Sequence, residues 1–264
     1  MIQVAWQNSP WVLSYQTEIE EKFHVLGDCH HEIVQEGKTY DLLISAFDIE
    51  KDKLTQAVIF PREDVRTVLI ALDEQVHLEN FTRTFSFVTD SLTTKNYLLH
   101  FFPHVVAVEV LECLSEETMS QLKLGKYDGI VTQACVAKRL GWTNYVVQKM
   151  NVFAFLPQIG IANLMIQAFN PKMLAILRQH FQHLPSYQAL LAEINLYQNL
   201  RPQTQAAIFA FATVFQHTLT LTAGIIDSSQ SLHIQAVNEG DLADAERIGI
   251  ELAIRLAQNV AAGG

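Results

Sequence analysis

The sequence predicts an α/β protein: two blocks of alternating strands and helices, followed by a separate α+β block. Two observations predict this. Short apolar segments alternate with helix-period segments from Ile2 to Val131. After Pro171 the pattern changes to two helices, a run of long strands and one final amphipathic helix.

Ile2–Trp6 alternates like a short strand, and Ser9-Pro10 opens a helix with Ser9 as cap and Pro10 at its first position. Apolar residues three or four apart carry that helix through Tyr15 and Ile19 to Phe23. Residues 40–46 are largely apolar, as in a strand covered on both faces. Strands at 58–60 and 65–71 flank the turn Pro61–Asp64. The same grammar recurs with a strand at 85–88, a helix from Asp90 to Phe102 ending before Pro103, and a strand at 105–111. A helix from Ser115 to Leu124, closed by Gly125, leads to a strand at 127–131. Strands separated by helices imply parallel α/β units. Beyond Pro171, helices are expected at 172–182 and 187–200, and strands at 206–216, 218–226 and 231–237. A last helix from Asp241 to about Val260 puts Leu242, Ala245, Ile248, Leu252 and Leu256 on one stripe.

A hydrophobic content of 49% with 17% charged residues is that of a globular protein. The net charge of −10 argues against nucleic acid and anionic membrane as partners, since both need clustered Lys and Arg. The apolar run 206–215 is shorter than the roughly 20 residues that a helical membrane span needs. Met1–Trp6 carries no basic start, so no leader is expected there. Three cysteines, Cys29, Cys113 and Cys135, without paired spacing fit a reducing cytoplasm.

Five motifs in order carry a resemblance. Residues 125–141, GKYDGIVTQACVAKRLG, resemble the hydroxymethylbilane synthase (porphobilinogen deaminase) signature G-x-Y-D-A-I-I-L-A-x-A-G-L-x-R-L-G. PREDVR at 61–66 is similar to the family's P-R-E-D-P-R turn, and TDSLTT at 89–94 to its T-S-S-L-R-R. LPQIGIANLMIQ at 156–167 resembles L-P-A-V-G-Q-G-A-L-A-I-E, and NEGDLADAERIG at 238–249 resembles the last helix. The resemblance implies two periplasmic-binding-protein-like (type II) domains with an interdomain cleft, plus a small C-terminal α+β domain. The expected domains are 1–79 with 158–176, then 80–157, then 177–264. Between Gln35 and Tyr40 the chain has only a few residues, where the family has an extra helical stretch and a flexible loop.

The family's reaction joins porphobilinogen units and needs a cysteine thioether to a dipyrromethane primer, a catalytic carboxylate, and arginines that grip acetate and propionate groups. ISAFD at 44–48 falls on H-S-L-K-D, placing Asp48 on the catalytic aspartate, Ser45 on the serine and Phe47 on the lysine. Asp48 could equally end a strand and turn the chain. AEINLYQNLRPQTQ at 192–205 aligns with A-E-R-A-F-L-R-R-L-E-G-G-C-Q, so Thr204 stands at the cofactor-attachment position and Pro202-Gln203 replace two glycines. A threonine hydroxyl is a far weaker nucleophile than a thiolate. The arginine pair becomes Thr93-Thr94, and two further arginines become Glu112 and Thr118; Lys95 supplies one cation a residue away. Each lost charge-assisted bond removes about 1.5–3 kcal/mol, so three or more losses remove most or all of the roughly 8 kcal/mol of micromolar binding.

The expectation is therefore a degenerate homologue with no dipyrromethane, binding an unknown small molecule or protein partner. Its candidate ligand residues are Ser45, Thr89, Ser91, Thr93, Thr94, Lys95 and Gly160. An active divergent synthase, which would carry dipyrromethane, and a cytoplasmic small-molecule sensor are the alternatives. His180 and His183 on one helix, and Cys29-His-His31 on a strand, lack a third ligand at recognisable spacing, so no metal is expected. His100 and His104 flank a helix end, where a charged imidazole would favour the dipole.

Overall fold

The computed structural model describes residues 1–49, 54–227 and 232–263. The chain divides into two compact units. One comprises Met1–Asn8, Thr17–Glu63 and Leu156–Gly264, and the other Ser9–Gln16 and Asp64–Phe155.

The first unit contains a five-stranded sheet of β1 (Ile2–Trp6), β2 (Cys29–Ile33), β3 (Leu42–Ala46), β4 (Ala57–Ile59) and β10 (Leu164–Ala168), in the order β2-β1-β3-β10-β4. β1 pairs in parallel with β2 and β3, and β10 runs antiparallel to β3 and β4. The second unit repeats this pattern with β5 (Thr67–Ile70), β6 (Phe85–Thr89), β7 (Val105–Val110), β8 (Gly129–Gln133) and β9 (Val146–Lys149), in the order β7-β6-β8-β5-β9. There β6 is parallel to β7 and β8, while β5 is antiparallel to β8 and β9. Each sheet thus has four strands running one way and a single reversed strand next to one edge, which is the type II periplasmic-binding-protein-like architecture. The parallel pairing expected of strand–helix units holds for β1 with β2 and β3 and for β6 with β7 and β8. The expected strand β5 instead runs antiparallel to its neighbours, as does β10, and hydrophobic periodicity does not encode that direction.

The helix expected from Pro10 to Phe23 is two helices, α1 (Pro10–Leu13) and α2 (Gln16–Lys22). The Ser14 hydroxyl donates to the Trp11 carbonyl at 2.6 Å and competes with the helical ladder. Besides α1, the second unit's helices are α3 (Leu92–Phe101), α4 (Glu116–Lys123) and α5 (Ala134–Arg139). Between Gln35 and Tyr40 a turn bonded from Lys38 N to Gln35 O leads towards β3.

Helix α6 (Pro171–Phe181) precedes α7 (Leu184–Leu200), which starts a turn earlier than expected because Pro185 fits a helix's first positions. β11 (Ala207–Phe215), β12 (Thr218–Asp227) and β13 (Leu232–Asp241) form an antiparallel sheet; Ser231, included in the expected last strand, lies outside the described residues. α8 begins at Ala245 rather than Asp241, because Asp241 caps a short 3-10 turn by accepting from Ala243 N at 2.8 Å. The predicted stripe of Ala245, Ile248, Leu252 and Leu256 is fully buried against α7 and the sheet's inner face. Leu242, expected on the same stripe, sits in that turn and packs at the cluster's edge.

Candidate functional site

In the first unit, Ser45 is buried on β3 opposite Met165, and Asp48 follows the strand, partly buried. Phe47 N bonds to Asn163 O, which ties the end of β3 to the segment before β10. The Phe47 ring is buried with Ala57, Ile59, Met165, Leu190 and Ile194. The position that carries lysine in the family motif therefore belongs to the core here. Gly160 lies under this ring at φ +74°, and a Cβ there would come within 2.5 Å of Phe47 Cδ1. Gly160→Ala should accordingly lower unfolding free energy by about 1–3 kcal/mol in urea titrations.

The same segment holds a buried ion pair. Arg62, from the PRED turn, makes a two-pronged contact with Glu193 of α7. Glu193 also accepts from Gly160 N at 2.9 Å and Ala212 N at 2.8 Å. Arg62 Nε donates to Ile161 O at 2.9 Å, and its guanidinium lies 5.3 Å from the Phe211 ring centroid. Neither residue stood out in the sequence as a pair, because they lie 131 positions apart.

Thr204 follows the short turn after α7, partly buried, and its Oγ1 accepts from Ala206 N at 3.1 Å. The hydroxyl is used to shape the turn into β11. Cys29 is on β2, and Cys113 and Cys135 are in the second unit; all three are free thiols.

The second unit gathers Thr89, Ser91, Thr93, Thr94 and Lys95 at the end of β6 and the start of α3. Thr89, Ser91 and Thr94 are buried, and Thr93 and Lys95 are partly exposed. Ser91 caps α3 by accepting from Thr94 N at 3.0 Å, and Thr89 Oγ1 accepts from Ser91 N at 3.3 Å. Thr118, on another family arginine position, accepts from Ser115 N at 3.2 Å in the capping box of α4, while Glu112 is exposed. The Thr118 hydroxyl thus serves local structure.

Sequence reasoning missed one group here. The Asp90 carboxylate accepts from the Thr132 hydroxyl through both oxygens, at 3.3 and 3.2 Å. Desolvation dominates its environment and pushes its pKa up to about 6, against the smaller opposing effects of its own backbone N–H and Thr132. No cation contributes to that balance.

Among the described residues, no group of three or more His, Cys, Asp or Glu side chains is placed to hold a metal ion, and no helix is long and apolar enough to cross a membrane. His180 is exposed, and His183 accepts from Ser186 N as the cap of α7. His104 is buried against Phe81, Phe85 and Phe102.

Comparison with known proteins agrees with the motif resemblance. The porphobilinogen deaminase of Desulfosudis oleivorans is 23% identical over 201 residues, covering 75% of this chain and 64% of that protein. That of Prochlorococcus marinus (strain NATL2A) is 27% identical over 209 residues, covering 78% and 66%. That of Geobacter sulfurreducens is 28% identical over 199 residues, covering 75% and 62%. The chain spans just under two thirds of the length of these curated relatives. Among solved structures, a Salmonella typhimurium periplasmic binding protein with high arginine specificity matches at 11% identity and a TM-score of 0.47, over 68% of this chain and 92% of that one. Residues 40–173, just over half of the chain, match the family described as "Porphobilinogen deaminase, dipyromethane cofactor binding domain". On that match the chain belongs to the porphobilinogen deaminase family.

Proposed function

We propose that this chain no longer performs the hydroxymethylbilane synthase reaction and is retained as a ligand- or partner-binding protein. One observation carries the reading: the attachment position holds Thr204, whose hydroxyl is engaged by Ala206 N. The donor chemistry there does not fit a dipyrromethane thioether, because no thiol is available at that turn. Two further features support it. Thr93 and Thr94 replace the arginine pair beside Asp90, where a carboxylate would repel acidic pyrroles. Phe47 fills the lysine position as a core residue. The three free cysteines support a reducing, cytoplasmic setting.

The intact mass of freshly purified protein tests this reading. The expected mass is that of the polypeptide alone, with no colour in acidic aldehyde reagent. A covalent dipyrromethane, seen as a mass excess with a positive colour reaction, would establish an active divergent synthase instead.

A further inference from the structure

Buried carboxylates are normally paired or fully hydrogen-bonded, because an isolated one is costly away from water. Asp90, partly buried at the end of β6, has little such support. Among the described residues its side-chain partner is the Thr132 hydroxyl, and Lys95, on the first turns of α3, does not pair with it. Nor is Asp90 spent on the helix, since Ser91 is the residue that caps α3.

Its place in the sheet gives this isolation a meaning. From β6 the chain crosses to β7 on one side and then returns to β8 on the other, so the strand order reverses at β6. Ligands of open α/β sheets bind outside the carboxyl ends of the strands at such a reversal. Asp90 directly follows the last residue of β6, and Thr132 lies near the carboxyl end of the adjacent, parallel β8. Thr89, Ser91, Thr94 and Thr132, all buried, place four hydroxyl residues at these strand ends and the start of α3, with Thr132 donating to the carboxylate. Such a group accepts from donors and disfavours anions.

We infer that Asp90 anchors a binding site in the second unit for a small ligand bearing a protonated nitrogen, which completes the ion pair that the chain leaves open. The inference rests on the reading of this chain as a family member with a re-lined site, and it gives that site a ligand class of opposite charge to acidic pyrroles. The raised pKa of the carboxyl agrees with a group whose counter-ion comes from outside the chain.

The test uses the full chain above pH 7, where Asp90 is ionised, with benzylamine and benzamidine as cationic probes and benzyl alcohol and benzoate as controls. Amide NMR spectra should show saturable shifts at residues 89–95 and at Thr132 for the cations, with binding of the controls at least about tenfold weaker. Asp90→Asn should weaken cation binding by about tenfold or more while remaining folded. The inference is overturned by the absence of saturable cation binding, by equal binding to Asp90→Asn, or by a preference for benzoate. The parent reading fails separately, through a dipyrromethane adduct in the intact mass; a clean mass without cation binding sinks this inference alone.

Discussion

Glu193→Ala is expected to lower the unfolding free energy by about 3–5 kcal/mol, because it strands a buried guanidinium. Glu193 is fully buried, and Arg62 is only 8% exposed in its side chain. Removing the carboxylate also leaves Gly160 N and Ala212 N without an acceptor, each costing about 1–3 kcal/mol when desolvated. The ion pair and these two bonds together join the PRED turn, the segment before β10, α7 and β11. The loss should therefore appear in the cooperative transition of this unit rather than as local fraying. Arg62→Met should also be costly, whereas the double variant Arg62→Met/Glu193→Leu should be milder than Glu193→Ala, since replacing both members of a buried pair by apolar groups is often close to neutral. Urea titrations of the four proteins compare these losses directly. A loss below about 1 kcal/mol for Glu193→Ala would mean that the pair does not hold these elements together.

How far the sequence discloses the molecule depends on what each signal encodes. Strand–helix alternation and the stripe of Ala245, Ile248, Leu252 and Leu256 are local patterns, and they reappear in the two sheets and the buried face of α8. Strand direction is not local. β10 reads as the short apolar run LMIQA, which fits a strand or a helix fragment equally well, and nothing in it says that it runs against β3. The break at Ser14 needs the hydroxyl's partner, the Trp11 carbonyl, which composition does not reveal.

The candidate site divides in the same way. The identities at 93, 94 and 204 follow from motif comparison, but their present work does not. Thr204 shapes a turn and Phe47 fills a core, roles set by neighbours distant from the motif and so not legible in it. Asp90 is the strongest instance. Beside a helix start, an aspartate reads as a favourable partner of the dipole. Only its enclosure beside Thr132 turns that reading around, making it a carboxylate that costs stability.

That cost yields the second large effect. The folded-state pKa of Asp90 is about 6 against an ordinary value of 3.8. The folded protein therefore holds this proton more tightly than the unfolded chain, and stability falls as pH rises from about 4 to about 6. Above that window the penalty is fully present, at up to about 3 kcal/mol, and below it the penalty vanishes. Asp90→Asn keeps the shape without the charge, so at pH 7.5 it should be more stable than the parent by as much as that amount. The gain should shrink through pH 6 to 4 and be absent below about pH 4. Denaturant titrations of both proteins across pH 3.5–8 measure the difference directly. A gain that does not vary with pH would assign the effect to packing, and a loss at neutral pH would mean that the ionised carboxylate is already compensated within the fold. A gain at neutral pH combined with lost affinity for cationic probes is the signature of a residue kept for binding at the expense of stability.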